Sequence, residues 1–303
     1  MREYLRRGGE GLADTELTAE VQERADVVIG QRIVGDPPSR AWRQMCEKAD
    51  KLCVLEIDDD LFNIHPTNPA YTSFTPHYLE NLKQNIRCAH IVTVTTPHLA
   101  YMLRPLHQDI RVVPNYIPQW LTEHERPRTD KLTLGWSGGP SHYMDWEDAL
   151  PQIGRFLRRN PDVEFHGVGG VFSSMLKWPQ EQLRTSRWEH GVEDYYKLLD
   201  FDIGVIPLKP HLFNKSKSFS KALEFAALGI PVLASEFGPY EDFVIPGKTG
   251  YLIRNDHEWC AILRDLVENP VRRAKIGYAA RQHAKNYTIE ANIDKWLSVW
   301  GCQ

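Results

Sequence analysis

Short apolar runs recur along the chain, parted by stretches whose apolar residues repeat at helical spacing. Four fall in the first third: DVVIGQ (26–31), KLCVLEI (51–57), HIVTVT (90–95) and DIRVVP (109–114). After a polar interval come KLTLGW (131–136), VEFHGV (163–168), FDIGVIPL (201–208), IPVLAS (230–235) and GYLI (250–253), with TSRWEH (185–190) a fainter member of the series. The runs are continuous rather than alternating, which predicts strands covered on both faces, as in parallel sheets. Between them, DWEDALPQIGRFLRRN (145–160) and HEWCAILRDLVENP (257–270) each gather apolar residues on one helical face. Pro151 inside the first predicts a break or kink. Strand and helix in alternation predict an α/β protein of doubly wound type.

The two halves are unequal. The second has enough strands for a complete nucleotide-binding domain, and the first is a lean version of the same plan. QWLTEHERPRTDK (119–131), charged and holding a proline, predicts the joint. The expected division is a reduced domain over 1–118, a linker over 119–130 and a second domain over 131–285.

Composition narrows the picture. A chain of 303 residues has room for two domains, and its formal charge of -4 gives no global basic field for wholesale nucleic-acid binding. The five cysteines (Cys46, Cys53, Cys88, Cys260, Cys302) show no metal-binding spacing, so buried or free thiols in a reducing compartment are expected. The opening MREYLRRGGEGLADTE has no apolar core of the signal-peptide kind, and no apolar run approaches the roughly 18 residues of a membrane span. A cytoplasmic protein is the expectation.

The chemistry-bearing stretches come late in the chain. In FNKSKSFSKALEFAALGIPVLAS (213–235), Lys217, Lys221 and Glu224 are spaced i, i+4, i+7 and share one face of a helix that starts early enough. Ser216 or Ser218 is placed to cap it, and Gly229 with Pro231 to stop it. A helix start beside lysines suits a phosphate, and a glutamate further along can accept from ribose hydroxyls. The plainer alternative is a solvated charged face. The position after FDIGVIPL, where open α/β sheets bind ligands, favours the site. In LTLGWSGGPSHYMDWEDAL (132–150) a strand runs into Ser137, Gly138 and Gly139, where backbone N–H groups can approach a pyrophosphate closely. His142 follows as a further phosphate or sugar contact, against the commoner outcome of a surface histidine.

The run from FDIGVIPL through LEFAALGIPVLAS to PGKTGYLI, with GWSGG and VEFHGVGG upstream, resembles the C-terminal domain of family-4 type, group 1 glycosyltransferases with the GT-B fold. VLEIDDDLF, VTVTTPHLAYML and VVPNYI give the first domain a similar look, so the resemblance covers most of residues 26–290. It implies two Rossmann-like domains with parallel sheets facing across a cleft, the N-terminal one reduced. It also implies that NYTIEANIDKWLSVW and the chain end, about 286–303, cross back to the first domain. Carried over residue by residue, it makes Glu224 the ribose-binding glutamate of an E-x7-E motif whose first glutamate is replaced by Ser216. Asn214, Lys217, Ser218 and Phe219 fall at the diphosphate turn, Lys217 or Lys221 stands in for the basic clamp, and His190, Gly191 and Val192 fall at the base pocket.

In EIDDDLFNIHP (56–66) three carboxylates follow a strand; they can cap the next helix, bind a cation or face an acceptor hydroxyl. The resemblance implies a metal-independent enzyme without a cofactor, which leaves Asp59, Asp60 or His65 as groups that accept a proton or stabilise positive charge as a glycosidic bond breaks. Thr96 and His98 end the next strand. The function implied is retaining transfer of a sugar from a UDP- or GDP-sugar to a hydroxyl of a protein, a glycan or a hydroxymethylated DNA base. The alternatives are a nucleotide-sugar-binding relative without transfer, or an epimerase on the same scaffold.

Overall fold

A computed structural model describes residues 25–169, 175, 177–189 and 191–301. His190, Cys302 and the opening segment lie outside the described residues. Every apolar run of the sequence series becomes a parallel strand. In the first third these are β1 (Val27–Gln31), β2 (Leu52–Ile57), β3 (Ile91–Val94) and β4 (Ile110–Val112), joined in the order β1-β2-β3-β4. Helices α1 (Asp36–Cys46), α2 (Pro76–Cys88) and α3 (Pro97–Leu103) make the crossovers. Cys53, Val54 and Leu55 of β2 have no exposed surface, as a strand sandwiched on both faces requires.

The second sheet has β5 (Leu132–Ser137), β6 (Val163–Val168), β7 (Leu183–Ser186), β8 (Ile203–Ile206), β9 (Val232–Ser235) and β10 (Gly250–Ile253), in the order β10-β9-β8-β5-β6-β7. Its crossovers include α4 (Ala149–Arg159), α5 (Val192–Lys197), α6 (Leu212–Lys215), α7 (Ser220–Ala227) and α8 (Pro239–Phe243). Then come α9 (Asp256–Glu268), α10 (Pro270–Ala284) and α11 (Ile289–Val299). Phe165, Phe201, Ile203, Val205 and Phe225 lie fully buried at its centre.

Three sequence expectations change. Pro151 neither breaks nor kinks α4, because that helix begins only at Ala149. In the first turn a proline removes an N–H that has no intrahelical partner anyway. TSRWEH is a strand only at its start: β7 ends at Ser186 and leaves Trp188 in the following loop. The segment 119–130 is no loose linker: Leu121 and Thr122 are buried in the second unit and Arg126 pairs with Asp202 at 2.7 Å.

The described residues divide into two compact units. One comprises residues up to 64 with 72–114 and the chain from 294, and the other comprises 65–71 and 115–293. Within the first, Arg111 Nη1 donates to the carbonyl of Ser298 at 3.1 Å. Within the second, Gln119 N donates to Glu290 Oε2 at 2.8 Å. Among the described residues no helix is long and apolar enough to cross a membrane.

Candidate functional site

In the six-stranded sheet β5 is followed on one side by β6 and met on the other by β8, so connections leave the two central strands in opposite directions. Such a reversal opens a crevice at the carboxyl ends of the strands. A pocket of about 260 Å³ occupies that place, lined from the β5 side by Ser137, Gly138, Gly139 and His142 and from the β8 side by Ser220, Lys221 and Glu224. Trp188 and Tyr195 complete it.

Two glycines shape the wall. A Cβ on Gly138 would come within 2.4 Å of the Trp136 ring and 3.0 Å of Lys221 Nζ. Gly169 has φ +93, and a Cβ there would sit 2.4 Å from the Gly138 carbonyl oxygen and 2.6 Å from Trp188 Nε1. Only glycine allows this close approach of turn, ring and ammonium.

The polar side chains form a chain of contacts. Tyr195 Oη donates to Glu224 Oε2 at 3.1 Å and, having given its one proton, accepts from Ser137 Oγ at 2.9 Å. Trp188 stacks on Tyr195 with ring centroids 5.0 Å apart. Lys221 Nζ lies over the Trp136 ring at 4.9 Å. Burial pushes the Glu224 carboxyl up to about 7, against the Tyr195 hydrogen bond and the charge of Lys221. Burial, then the charge of Lys217, holds the Lys221 ammonium down to about 7, against Asp145 and Glu224. Burial makes both groups costly as ions, so each suits a ligand of matching demand.

Asp145 organises the β5 side. Its Oδ2 accepts from His142 Nδ1 at 2.7 Å, and its Oδ1 accepts from Asn214 Nδ2 at 2.5 Å and the Lys209 backbone N at 3.1 Å. Burial raises this carboxyl, but the His142 hydrogen bond and Lys217, 4.0 Å away, more than reverse it and hold the group below its ordinary value. His142 itself is held down to about 4 by burial and the charge of Lys221, so it is a neutral ring near neutral pH.

The sequence expectations fall into three groups here. Ser137, Gly138, Gly139, His142, Lys221 and Glu224 meet in the pocket. Asn214, Lys217, Ser218 and Phe219 precede it in the chain without lining it. Asn214 is committed to Asp145, and Lys217 lies over the Phe213 ring at 5.1 Å. Ser218 accepts from Asn115 Nδ2, and Phe219 stacks on Phe243. The helix carrying Lys221 starts at Ser220 with Phe219 as its cap, so Lys217 is not on it and neither Ser216 nor Ser218 caps it. The physical reason is the short helix α6, after which Lys217 N closes a turn back onto the Asn214 carbonyl. Gly191 and Val192 are exposed at the start of α5 and do not line the pocket.

The acidic stretch is spent locally. Asp59 and Asp60 belong to the first unit, where Asp60 Oδ2 accepts from Asn63 Nδ2 at 2.8 Å. His65 belongs to the second, its Nδ1 2.7 Å from Thr67 Oγ1 and its ring 5.1 Å from that of His211. None of the three lines the pocket. Thr96 caps α3, accepting from Leu99 N at 3.2 Å. Sequence reasoning missed Trp188, Tyr195, Ser220 and Asp145. The aromatic pair in DYYKLL was the available signal, but an aromatic at helical spacing reads first as core.

Residues 151–298 match the family model described as glycosyl transferase-like. Over that stretch, just under half of its length, the chain is similar to the group 1 glycosyltransferases. D-inositol 3-phosphate glycosyltransferase of Corynebacterium diphtheriae is 36% identical over 312 residues, which cover 91% of this chain and 63% of that protein. The protein of the same description from Nocardiopsis dassonvillei is 33% identical over 110 residues, 35% of this chain and 24% of that one. The chain thus spans less than two thirds of the curated relatives it matches. Among solved structures, Anabaena Alr3699/HepE in complex with UDP-glucose superposes with a TM-score of 0.66 at 14% identity, over 93% of this chain and 81% of that one. TarM superposes with a TM-score of 0.65 at 19% identity, over 90% of this chain and 54% of that one. These likenesses establish the fold, that of the GT-B glycosyltransferases.

Proposed function

We propose that the chain binds the nucleotide part of a nucleoside-diphosphate sugar in the pocket at the β5/β8 reversal and transfers the sugar to a hydroxyl acceptor. The observation that carries this reading is the meeting of the Gly138–Gly139 turn, Lys221 and Glu224 in one crevice. Glu224, beside the Tyr195 hydroxyl, suits a pair of ribose hydroxyls, because a carboxylate accepts two hydrogen bonds without competing donors of its own. Lys221 and the open backbone of the glycine turn suit the diphosphate. As the bond from the sugar carbon to the diphosphate oxygen breaks, negative charge grows on that oxygen, and a nearby ammonium is worth most at that moment. The acceptor oxygen bonds to the sugar carbon, and its proton passes to the departing diphosphate oxygen. UDP is the nucleotide in the Alr3699/HepE complex, so UDP-sugars are the first donors to test here. Retention of the anomeric configuration is the stereochemical outcome proposed.

The test is incubation with a panel of UDP- and GDP-sugars. Release of the nucleoside diphosphate and a rise in melting temperature with the matching nucleotide are expected. No release and no shift with any member overturn the proposal. A second reading, nucleotide binding without transfer, is favoured by one observation. The position that resemblance assigns to a donor-sugar glutamate holds Ser216, which has no exposed surface. A melting shift without turnover across donors and acceptors decides for it.

A further inference from the structure

Between α4 and α9 of the second unit lies another concavity, of about 120 Å³, lined by Arg155, Phe156, Arg159, Asn160, Cys260 and Arg264. It shares no residue with the pocket described above. Arg155 and Arg159 stand one helical turn apart on α4, and Cys260 and Arg264 one turn apart on α9. Residues at that spacing are neighbours on a helix surface, and like charges placed so repel. Among the described residues none of the three guanidiniums is in an ion pair, although the chain as a whole is acidic. All three bear on the Cys260 thiol, pulling it down while burial, the larger effect, pushes it up. All three arginines line this one concavity, which places their charges around it.

Arginine presents its donors in a planar fork that fits two oxygens of a phosphate, and a phosphate binds several forks at once. The floor, made by Phe156 and the Cys260 thiol, offers no competing carboxylate. We propose that this arginine-lined concavity binds the phosphate group of a phosphorylated ligand. The same chemistry serves a soluble phosphate ester or the headgroup of an anionic phospholipid. The site is independent of the glycosyl-transfer reading, since nothing in it touches the β5/β8 crevice.

Cys260 gives a local readout that binding elsewhere does not move. In the full chain, the rate of iodoacetamide labelling at Cys260, followed by peptide mass spectrometry, should fall in the presence of inorganic pyrophosphate. A fall of about threefold is expected once its concentration is twice the dissociation constant. Potassium chloride at equal ionic strength should leave the rate unchanged, as should pyrophosphate acting on R155Q/R264Q, whose replaced side chains are exposed. Co-sedimentation with phosphatidylglycerol vesicles but not phosphatidylcholine vesicles, lost in R155Q/R264Q, would assign the phosphate to a lipid. Protection by pyrophosphate without sedimentation would assign it to a soluble ester. Labelling unaffected by pyrophosphate, together with no arginine-dependent sedimentation, would overturn the proposal.

Discussion

In the four-stranded sheet each strand is laid beside its predecessor, so the order β1-β2-β3-β4 never reverses. In the six-stranded sheet the chain lays β5, moves outward through β6 and β7, then returns to place β8 on the other flank of β5. The same βαβ unit builds both, and the reversal alone separates the loops that follow two neighbouring strands. At the ends of β2 and β3 the loops bond to each other and to their own helices: Thr95 Oγ1 donates to the Asp58 carbonyl at 3.1 Å, and Thr96 caps its own helix. At the ends of β5 and β8 the loops diverge, and Lys221, Glu224 and the glycine turn are left lining a pocket. Rich polar sequence is thus no guide to a site by itself. What counts is whether topology leaves the groups with something to face.

The comparison is broken most sharply at Lys221. Lys221→Gln removes the ammonium that would meet the growing charge on the leaving diphosphate, and kcat/KM for the donor should fall about 100- to 1000-fold, the scale of losing one preorganised electrostatic contact. Asp59→Asn, in the sheet without a reversal, should leave nucleotide affinity as it is. Equal losses of nucleotide affinity in the two variants would refute the contrast.

Glu224 comes next. Glu224→Gln keeps the shape and loses the charge, so donor binding measured by calorimetry should weaken by about 10- to 100-fold, the value of hydrogen bonds to a charged acceptor. An unchanged dissociation constant would mean that this carboxylate does not hold the ligand.

Why Glu224 and Lys221 were legible in the sequence, and Tyr195 and Trp188 were not, has a physical basis. FDIGVIPL and IPVLAS are continuous apolar runs, and the helix between them ends on Gly229, whose φ of +69 is the left-handed stop that a glycine allows. That fixed both strands, the helix and the end of the sheet where its first residues stand. The helix start was less legible, because it depends on α6 and on the contacts of Asn214 with Asp145, 69 positions earlier. Trp188 and Tyr195 take their meaning from stacking on each other after β7 has ended, which no local period encodes. The acidic run went the other way: its residue types suggested chemistry, yet Asp58 pairs with Arg32, Asp60 accepts from Asn63, and neither Asp59 nor Asp60 lines the pocket.

Acidity sharpens the contrast further, because both site ions titrate near neutrality. Lys221 is held down to about 7, so from about 7 up to its ordinary value near 10.4 the unfolded chain binds the proton that the native pocket has lost. Stability from this group therefore rises with pH across that window. Glu224, raised to about 7, acts oppositely below it: from its ordinary value near 4.3 up to about 7 stability falls as pH rises. A diphosphate needs Lys221 charged, so affinity for the nucleotide should fall above about pH 7, by up to about tenfold per unit. In Lys221→Gln that decline should be absent. A profile of the same slope in parent and variant would show that another group sets it.

Tyr195 carries the smallest and most discriminating effect. Its hydroxyl bridges the two sides of the crevice, accepting from Ser137 at the end of β5 and donating to Glu224 on the helix after β8. Tyr195→Phe keeps the ring on which Trp188 stacks and removes only that bridge. Two hydrogen bonds go, of which the one to Glu224 bears on the ligand, about 0.5–1.5 kcal/mol, or roughly two- to tenfold in nucleotide affinity. The direction of a second change is fixed by the first. The Tyr195 hydrogen bond favours the charged carboxylate, so without it the Glu224 titration should move further up, and the decline of stability between about pH 4.3 and 7 should extend to higher pH. Thermal melts of parent and Tyr195→Phe from pH 5 to 9 read this directly. Superimposable stability curves would mean that the bridge does not reach Glu224 in solution, and that the two flanks of the reversal act as separate surfaces rather than as one site.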